Sequence, residues 1–355
     1  MQYELRTKVI EPHRKTFANL TERFGDRPAS RYEEGSIDIQ PMTNFHYRPL
    51  WGPGLEIYDP GYSQLLLTDP YSFVDPRQFY YAPYVTARAQ LHEAFAATLS
   101  YLENRDLLER LPQAWKTVIG EVALPLRHYE SGGQLISAFG CRFGWGTTIT
   151  QCLSYASFDR VGNAQLLSRL GIALAGGTDD LLVTAKGHWM DAEHLQPLRR
   201  LTEELLIEKD WAVAHLGLDV TDQLLYGLLY RHLDEAALLG GAGGYSLAAQ
   251  HLSNWFADQR RWVDALYKAW VVDPEHGAAN AAVLAQALND VLPRAVAAVQ
   301  AIAARIDAEL SADAGQAVAG LADGVRSAFA ALAASAAPAP AAPAATATAP
   351  TAKDA

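Results

Sequence analysis

The sequence predicts an all-α protein: a helical bundle with an extended N-terminal arm and a disordered, Ala/Pro-rich C-terminal tail. Three observations predict it. Apolar residues recur every three to four positions through most of residues 85–332, the spacing that lines one face of a helix. No segment sustains the period-two alternation of a half-buried strand. The interruptions, "AGGTDD" (175–180), "GGAGG" (240–244) and "DPEHG" (273–277), are short and contain Gly, which ends helices and leaves long helices joined by brief connections, as in a bundle.

The arm comes first. Residues 1–84 are rich in Pro, Tyr, Asp and Gly ("WGPG", "YDPGY", "TDPY", "VDPRQFYYAPY"). Xaa-Pro pairs push the preceding residue out of the helical region, so long helices are disfavoured. The zone is nevertheless too aromatic for a disordered linker, and it reads as an arm lying on something. "NFHYRPLW" (44–51) concentrates four rings and an arginine in eight residues.

Helices follow. In "VTARAQLHEAFAATLSYLENRDLLERL" the residues Val85, Ala89, Leu91, Phe95, Leu99 and Leu102 keep the helical period. "AWKTVIGEVALPLRHYESGGQLISAFGC" and "TTITQCLSYASFDRVGNAQLLSRLGIALA" continue it, and "LQPLRRLTEELLIEKDWAVAHLGLDVTDQLLYGLLYRHLDEAALL" reads as one very long run. "SLAAQHLSNWFADQRRWVDALYKAWVV" and "AANAAVLAQALNDVLPRAVAAVQAIAARIDAEL" complete the set. Small residues in "GCRFGWGTT" (140–148) permit close approach to another element. Residues 333–355, which contain "APAPAAPAATATAP", are predicted to be disordered because such repetition builds no core.

Composition excludes several classes. The 355 residues carry a formal net charge of −11, which repels nucleic-acid phosphates, and no basic run suits an anionic membrane. No secretory leader and no uninterrupted apolar span are expected, so the protein reads as cytoplasmic. Two cysteines, Cys141 and Cys152, cannot build a disulfide framework or a four-cysteine zinc site.

The candidate sites thin out on inspection. The Gly-rich stretches lack GK[ST] and GxGxxG, and there is no GxSxG elbow. A carboxylate-bridged metal pair in a bundle needs Glu-x-x-His on two helices. None of the ten histidines has Glu three positions before it. Asp191/His194 and Asp273/His276 fall in predicted loops, while His215/Asp219 and His232/Glu235 have workable spacing in reversed order without matching pairs elsewhere. No catalytic, cofactor-binding or metal-ligating residue is therefore assigned in this chain. Trp255 and Trp262, beside Arg260 and Arg261, point to packing or a protein interface, where Trp and Arg are enriched. Asn44, Phe45, His46, Tyr47, Arg48 and Trp51 have no nucleophile or carboxylate near them in sequence and read as an interface anchor.

Six segments, "RYEE" (31–34), "NFHYRPLW" (44–51), "DPRQFYY" (75–81), "LPLRH" (124–128), "FDRVGNAQLLSRLGIAL" (158–174) and "RRWVDALYK" (260–268), resemble the hydroxylase beta subunit of bacterial multicomponent monooxygenases, above all the phenol hydroxylase branch. The resemblance runs from about residue 5 to 270. It implies a ferritin-like bundle shared with a catalytic alpha subunit that carries a di-iron centre, no cofactor in this chain, and a small gamma subunit completing a dimer of alpha-beta-gamma protomers. A regulatory protein and an NADH-dependent reductase complete the implied system. Where the alpha subunit has its later Glu-x-x-His, this chain has Phe256-Ala-Asp-Gln259. The resemblance also implies that the arm reaches over neighbouring subunits, which adds Phe79, Tyr80 and Tyr81 to the expected interface. Related enzymes acting on toluene, alkenes or sulfides, a free-standing ferritin-like metal protein, and a plain interaction protein are the competing readings.

Overall fold

The computed structural model describes residues 18–40 and 55–336, and among these every regular element is helical. Two short helices, α1 (Ala18–Phe24) and α2 (Arg31–Ser36), precede the bundle. The second opens on a capping box, Ser30 receiving the Glu33 N–H and Glu33 receiving that of Ser30. The bundle comprises α3 (Tyr81–Asn104), α4 (Gln113–Val118), α5 (Leu126–Phe143), α6 (Thr147–Leu174), α7 (Asp180–Asp191), α8 (Gln196–Leu206), α9 (Trp211–Tyr226), α10 (Leu233–Leu239), α11 (Gly243–Val271), α12 (Gly277–Leu310) and α13 (Ala314–Ala334). Wide π-type turns at Ile119–Ala123 and Gly227–His232 join α4 towards α5 and α9 to α10.

The long run expected over 195–239 is interrupted. Asp210 ends it by accepting hydrogen bonds from Ala212 N and Val213 N, so a new helix starts at Trp211. The break at 273–277 depends on Asp273, whose Oδ1 receives Glu275 N and His276 N; Gly277 is the first residue of the next helix. At the other two breaks glycine acts as expected, Gly176, Gly177 and Gly241 having positive φ.

The inner bundle is formed by α5, α6, α9 and α11. α5 and α6 run against each other, α9 packs on α5, and α11 contacts both α6 and α9. α12 backs α8 and α9, and α3 flanks α6 and α11. The small residues around 140–148 serve contacts within the chain: a Cβ on Gly140 would stand 3.0 Å from Leu153 Cδ1, and Gly146, at φ +97°, would meet Pro70. α12 and α13 are long and apolar enough to cross a membrane by composition, a feature the sequence reading did not anticipate. α12 buries Val299, Ile302 and Ile306 against the other helices.

The described part of the arm lies on the chain's own bundle. Gln64 N donates to Asp210 Oδ2, Leu66 exchanges two backbone hydrogen bonds with the Asn280 amide, and Thr68 gives its N–H and hydroxyl to Asp273. "NFHYRPLW" and residues beyond 336 lie outside the described residues.

Candidate functional site: a buried charge centre

Four helices converge on a centre that is polar. Arg160 of α6 is 1% exposed, and its guanidinium donates to Glu130 of α5 and Asp222 of α9, themselves 1% and 2% exposed. The Nη1–Glu130 distance is 3.2 Å. The remaining carboxylate oxygens are also taken: Tyr129 OH donates to Asp222 Oδ1 at 2.7 Å, and Tyr226 OH donates to Glu130 Oε1. The Trp255 ring of α11 lies under the guanidinium, 5.1 Å from Cζ to centroid.

Local sequence explains the convergence. Leu153, Ala156, Arg160, Asn163 and Leu167 recur at three and four, so Arg160 occupies a position on the apolar face of α6. Gly133 of α5 makes room for it, since a Cβ there would stand 3.1 Å from Arg160 Cζ and Nε. Burial pushes the Asp222 carboxyl up to about 6 against the pull of Arg160. Burial also depresses Arg160 itself, but the two carboxylates outweigh it and hold the guanidinium fully charged. Burial raises the Tyr129 and Tyr226 hydroxyls well above their ordinary value.

A second network adjoins the first. Asp159, next to Arg160 in α6, accepts from Arg88 Nε at 2.8 Å, Tyr84 OH at 2.9 Å and Trp255 Nε1 at 2.9 Å. Arg88 reaches Asp258 of α11 at 2.8 Å, and Asp258 also receives Arg77, whose other partner is Asp75. The chain entering α3 is thus tied into the bundle by charge-assisted hydrogen bonds.

The sequence-selected residues fall in different places. Trp255 and Trp262 are 1% and 0% exposed, so the interface expectation for them is corrected: both indoles are core of this chain. Trp262 Nε1 donates to Gln259 Oε1 and Trp255 Nε1 to Asp159, which is how buried indoles stay satisfied. Phe79 and Tyr80 are half-buried, Phe79 under Arg77 and Arg88, while Tyr81 is exposed. Asn44, Phe45, His46, Tyr47, Arg48 and Trp51 lie outside the described residues.

In the two His/carboxylate pairs, Asp219, His215 and His232 are engaged within the chain, and Glu235 lines a cavity. Asp219 accepts from Arg260, Tyr267 and Gln223, and His215 packs its ring on Trp262. His232 Nε2 lies 2.7 Å from Ala312 O, on the wall of a cavity of about 730 Å³ between α9–α10, α11 and α13. Among the described residues no three His, Cys, Asp or Glu side chains converge as metal ligands. Nor does the centre of the bundle suit a metal pair, because its two inward carboxylates already hold a cation belonging to the chain. Sequence reasoning passed over Glu130, Arg160 and Asp222. The legible signal was three charged residues on apolar helix faces, each a cost unless paired.

A long-helix bundle of the ferritin-like class, its polar centre filled by an arginine, is the class that fold and site define. The model of the methane/phenol/alkene hydroxylases matches residues 51–274, and the chain belongs to that family. It is 39% identical over 269 residues to the phenol 2-monooxygenase oxygenase component DmpL of Pseudomonas sp. (strain CF600), covering 76% of this chain and 81% of the relative. Identity to the corresponding component MhpL of Acinetobacter pittii (strain PHEA-2) is 37% over 302 residues, 85% of this chain and 89% of that one. A chain of the xenon-pressurised crystal structure of phenol hydroxylase from Pseudomonas sp. OX1 superposes with a TM-score of 0.82 at 33% identity, covering 92% of this chain and 98% of that chain.

Proposed function

We propose that this chain is the non-catalytic beta subunit of a phenol-type multicomponent monooxygenase hydroxylase. In this reading it braces a catalytic alpha subunit that holds the di-iron centre, and with a small gamma subunit it builds a dimer of protomers in the cytoplasm. An NADH-dependent reductase and a regulatory protein serve the assembly. Support comes from the relatives, which are named as oxygenase components of phenol 2-monooxygenases.

The observation that carries the non-catalytic role is Arg160. Ferritin-like di-metal centres use inward carboxylates of the bundle as ligands. Here Glu130 and Asp222 are bound by a guanidinium and closed by two tyrosine hydroxyls. A metal entering would have to displace a buried arginine with nowhere else to put its charge.

Metal analysis tests the reading. The full chain, purified alone or separated from a reconstituted assembly, is expected to carry no stoichiometric iron, and the iron of the assembly to follow its partner. About two irons per chain retained by this subunit alone would overturn the proposal.

A further inference from the structure

We propose that Glu130 and Asp222 form a cation site at the centre of the bundle, and that Arg160 is its resident cation. The proposal rests on the reading of this chain as a subunit without a metal centre of its own, and goes beyond it by assigning what the centre binds.

Four features argue for a site built around charge. The carboxylates come from different helices, α5 and α9, and each receives one guanidinium nitrogen from a third helix, α6. Space for the group is kept open by Gly133, where a Cβ would press on Cζ at 3.1 Å. Arg160 Nε is buried without a hydrogen-bond partner, so the guanidinium is held through its two terminal nitrogens and not as a fully satisfied five-donor fork. Tyr129 and Tyr226 close the outer carboxylate oxygens, the role that outer-sphere donors perform around ligating carboxylates.

The chemical consequence is exchangeability. With the arginine side chain removed, two buried carboxylates face a cavity of guanidinium size. A small guanidinium ion or an oxygen-seeking divalent cation is the class of ligand that relieves them. No bond to carbon forms or breaks and no electron moves; the exchange is one cation for another.

The test uses the full chain with Arg160→Ala. Melting is expected to fall by roughly 5–15 °C, the consequence of leaving buried carboxylates unpaired. Millimolar methylguanidinium, or Mn²⁺, should restore a large part of that loss, while NaCl at equal ionic strength should not. Mn²⁺ binding, followed by loss of the free-ion electron paramagnetic resonance signal, should appear in Arg160→Ala, be absent in the wild type, and vanish in Arg160→Ala/Asp222→Asn. A folded Arg160→Ala chain that matches the wild type in stability, or ignores both cations, overturns the proposal. Should Arg160→Ala fail to fold, the neutral triple variant Arg160→Met/Glu130→Gln/Asp222→Asn decides. A folded triple variant upholds charge compensation; an unfolded one makes Arg160 a packing element and ends the idea. Iron in the wild-type chain would sink the subunit reading instead, so the two failures are distinguishable.

Discussion

His215 and Asp222 are buried about two turns apart on α9 and respond to pH in opposite directions. Burial, reinforced by the nearby charges of Arg160 and Arg260, holds the His215 imidazole down to about 4. In the unfolded chain it titrates near 6.5. Its stabilising contribution is therefore complete above about 6.5 and is lost as pH falls towards 4. Asp222, raised to about 6, contributes below its unfolded value near 3.8 and loses that contribution as pH rises through 6. Chemical denaturation of the wild type and His215→Gln at pH 7 and pH 5 should show the wild type losing about 1–2 kcal/mol relative to the variant at the lower pH. An unchanged difference would mean that His215 takes up its proton in the fold as readily as in the unfolded chain. Asp222→Asn should shift the comparison the other way. At this scale the sequence spoke unevenly. The missing Glu-x-x-His was readable because metal ligation demands a fixed spacing, and His215/Asp219 was read as a pair with no partner set. That Glu130, Arg160 and Asp222 sit on apolar faces was readable, but not that they meet, because they lie 30 and 62 positions apart and periodicity within one helix gives no information across helices.

Helix existence was more legible than helix boundaries, for a physical reason. Apolar periodicity records which face a helix buries, and that survives in any order of packing. Ends depend on single capping groups, so the expected run over 195–239 hid the stop at Asp210 and the wide turn at Gly227–His232. Asp273 shows how much one such group holds. Its carboxylate accepts from Thr68 N, Thr68 Oγ1, Glu275 N and His276 N, joining the arm to the turn between α11 and α12. Asp273→Ala should cost about 2–4 kcal/mol, since three backbone donors lose their acceptor together. Amide exchange at Thr68 should accelerate well before global unfolding. If Asp273→Ala changed the midpoint of unfolding by less than about 0.5 kcal/mol, water would be substituting for the carboxylate and the arm would be held by apolar packing. Thr68→Val removes only the hydroxyl and should cost about 1 kcal/mol, which separates the arm contact from the turn.

For the whole molecule, the burial pattern and the proposed assembly make one joint claim. The carboxylates of the centre are paired within the chain, whereas Tyr81, Leu135, Phe158 and Val161 on α3, α5 and α6 are exposed apolar side chains. A chain that exposes apolar side chains is stabilised by covering that surface, which is what the proposed assembly would do. The fold class was legible from composition and period. The proposed covering comes only from the resemblance, because a single chain's hydropathy does not say which apolar residues meet a neighbour. Expressed without partners, the full chain should aggregate or self-associate, and co-expression with an alpha-type subunit should bring it into the clarified fraction as a stable complex. Tyr47 and Trp51, in the segment read as an anchor, supply the sharper test. Tyr47→Ala and Trp51→Ala should each weaken assembly by about 2 kcal/mol or more if these rings are central anchors. The chain's own melting, followed for the same substitutions, separates a loss of assembly from a loss of folding. Sedimentation of the co-purified complex across a dilution series measures the first quantity and calorimetry the second. Intact assembly with altered turnover would move "NFHYRPLW" towards the chemistry of the partner and away from the grip between subunits.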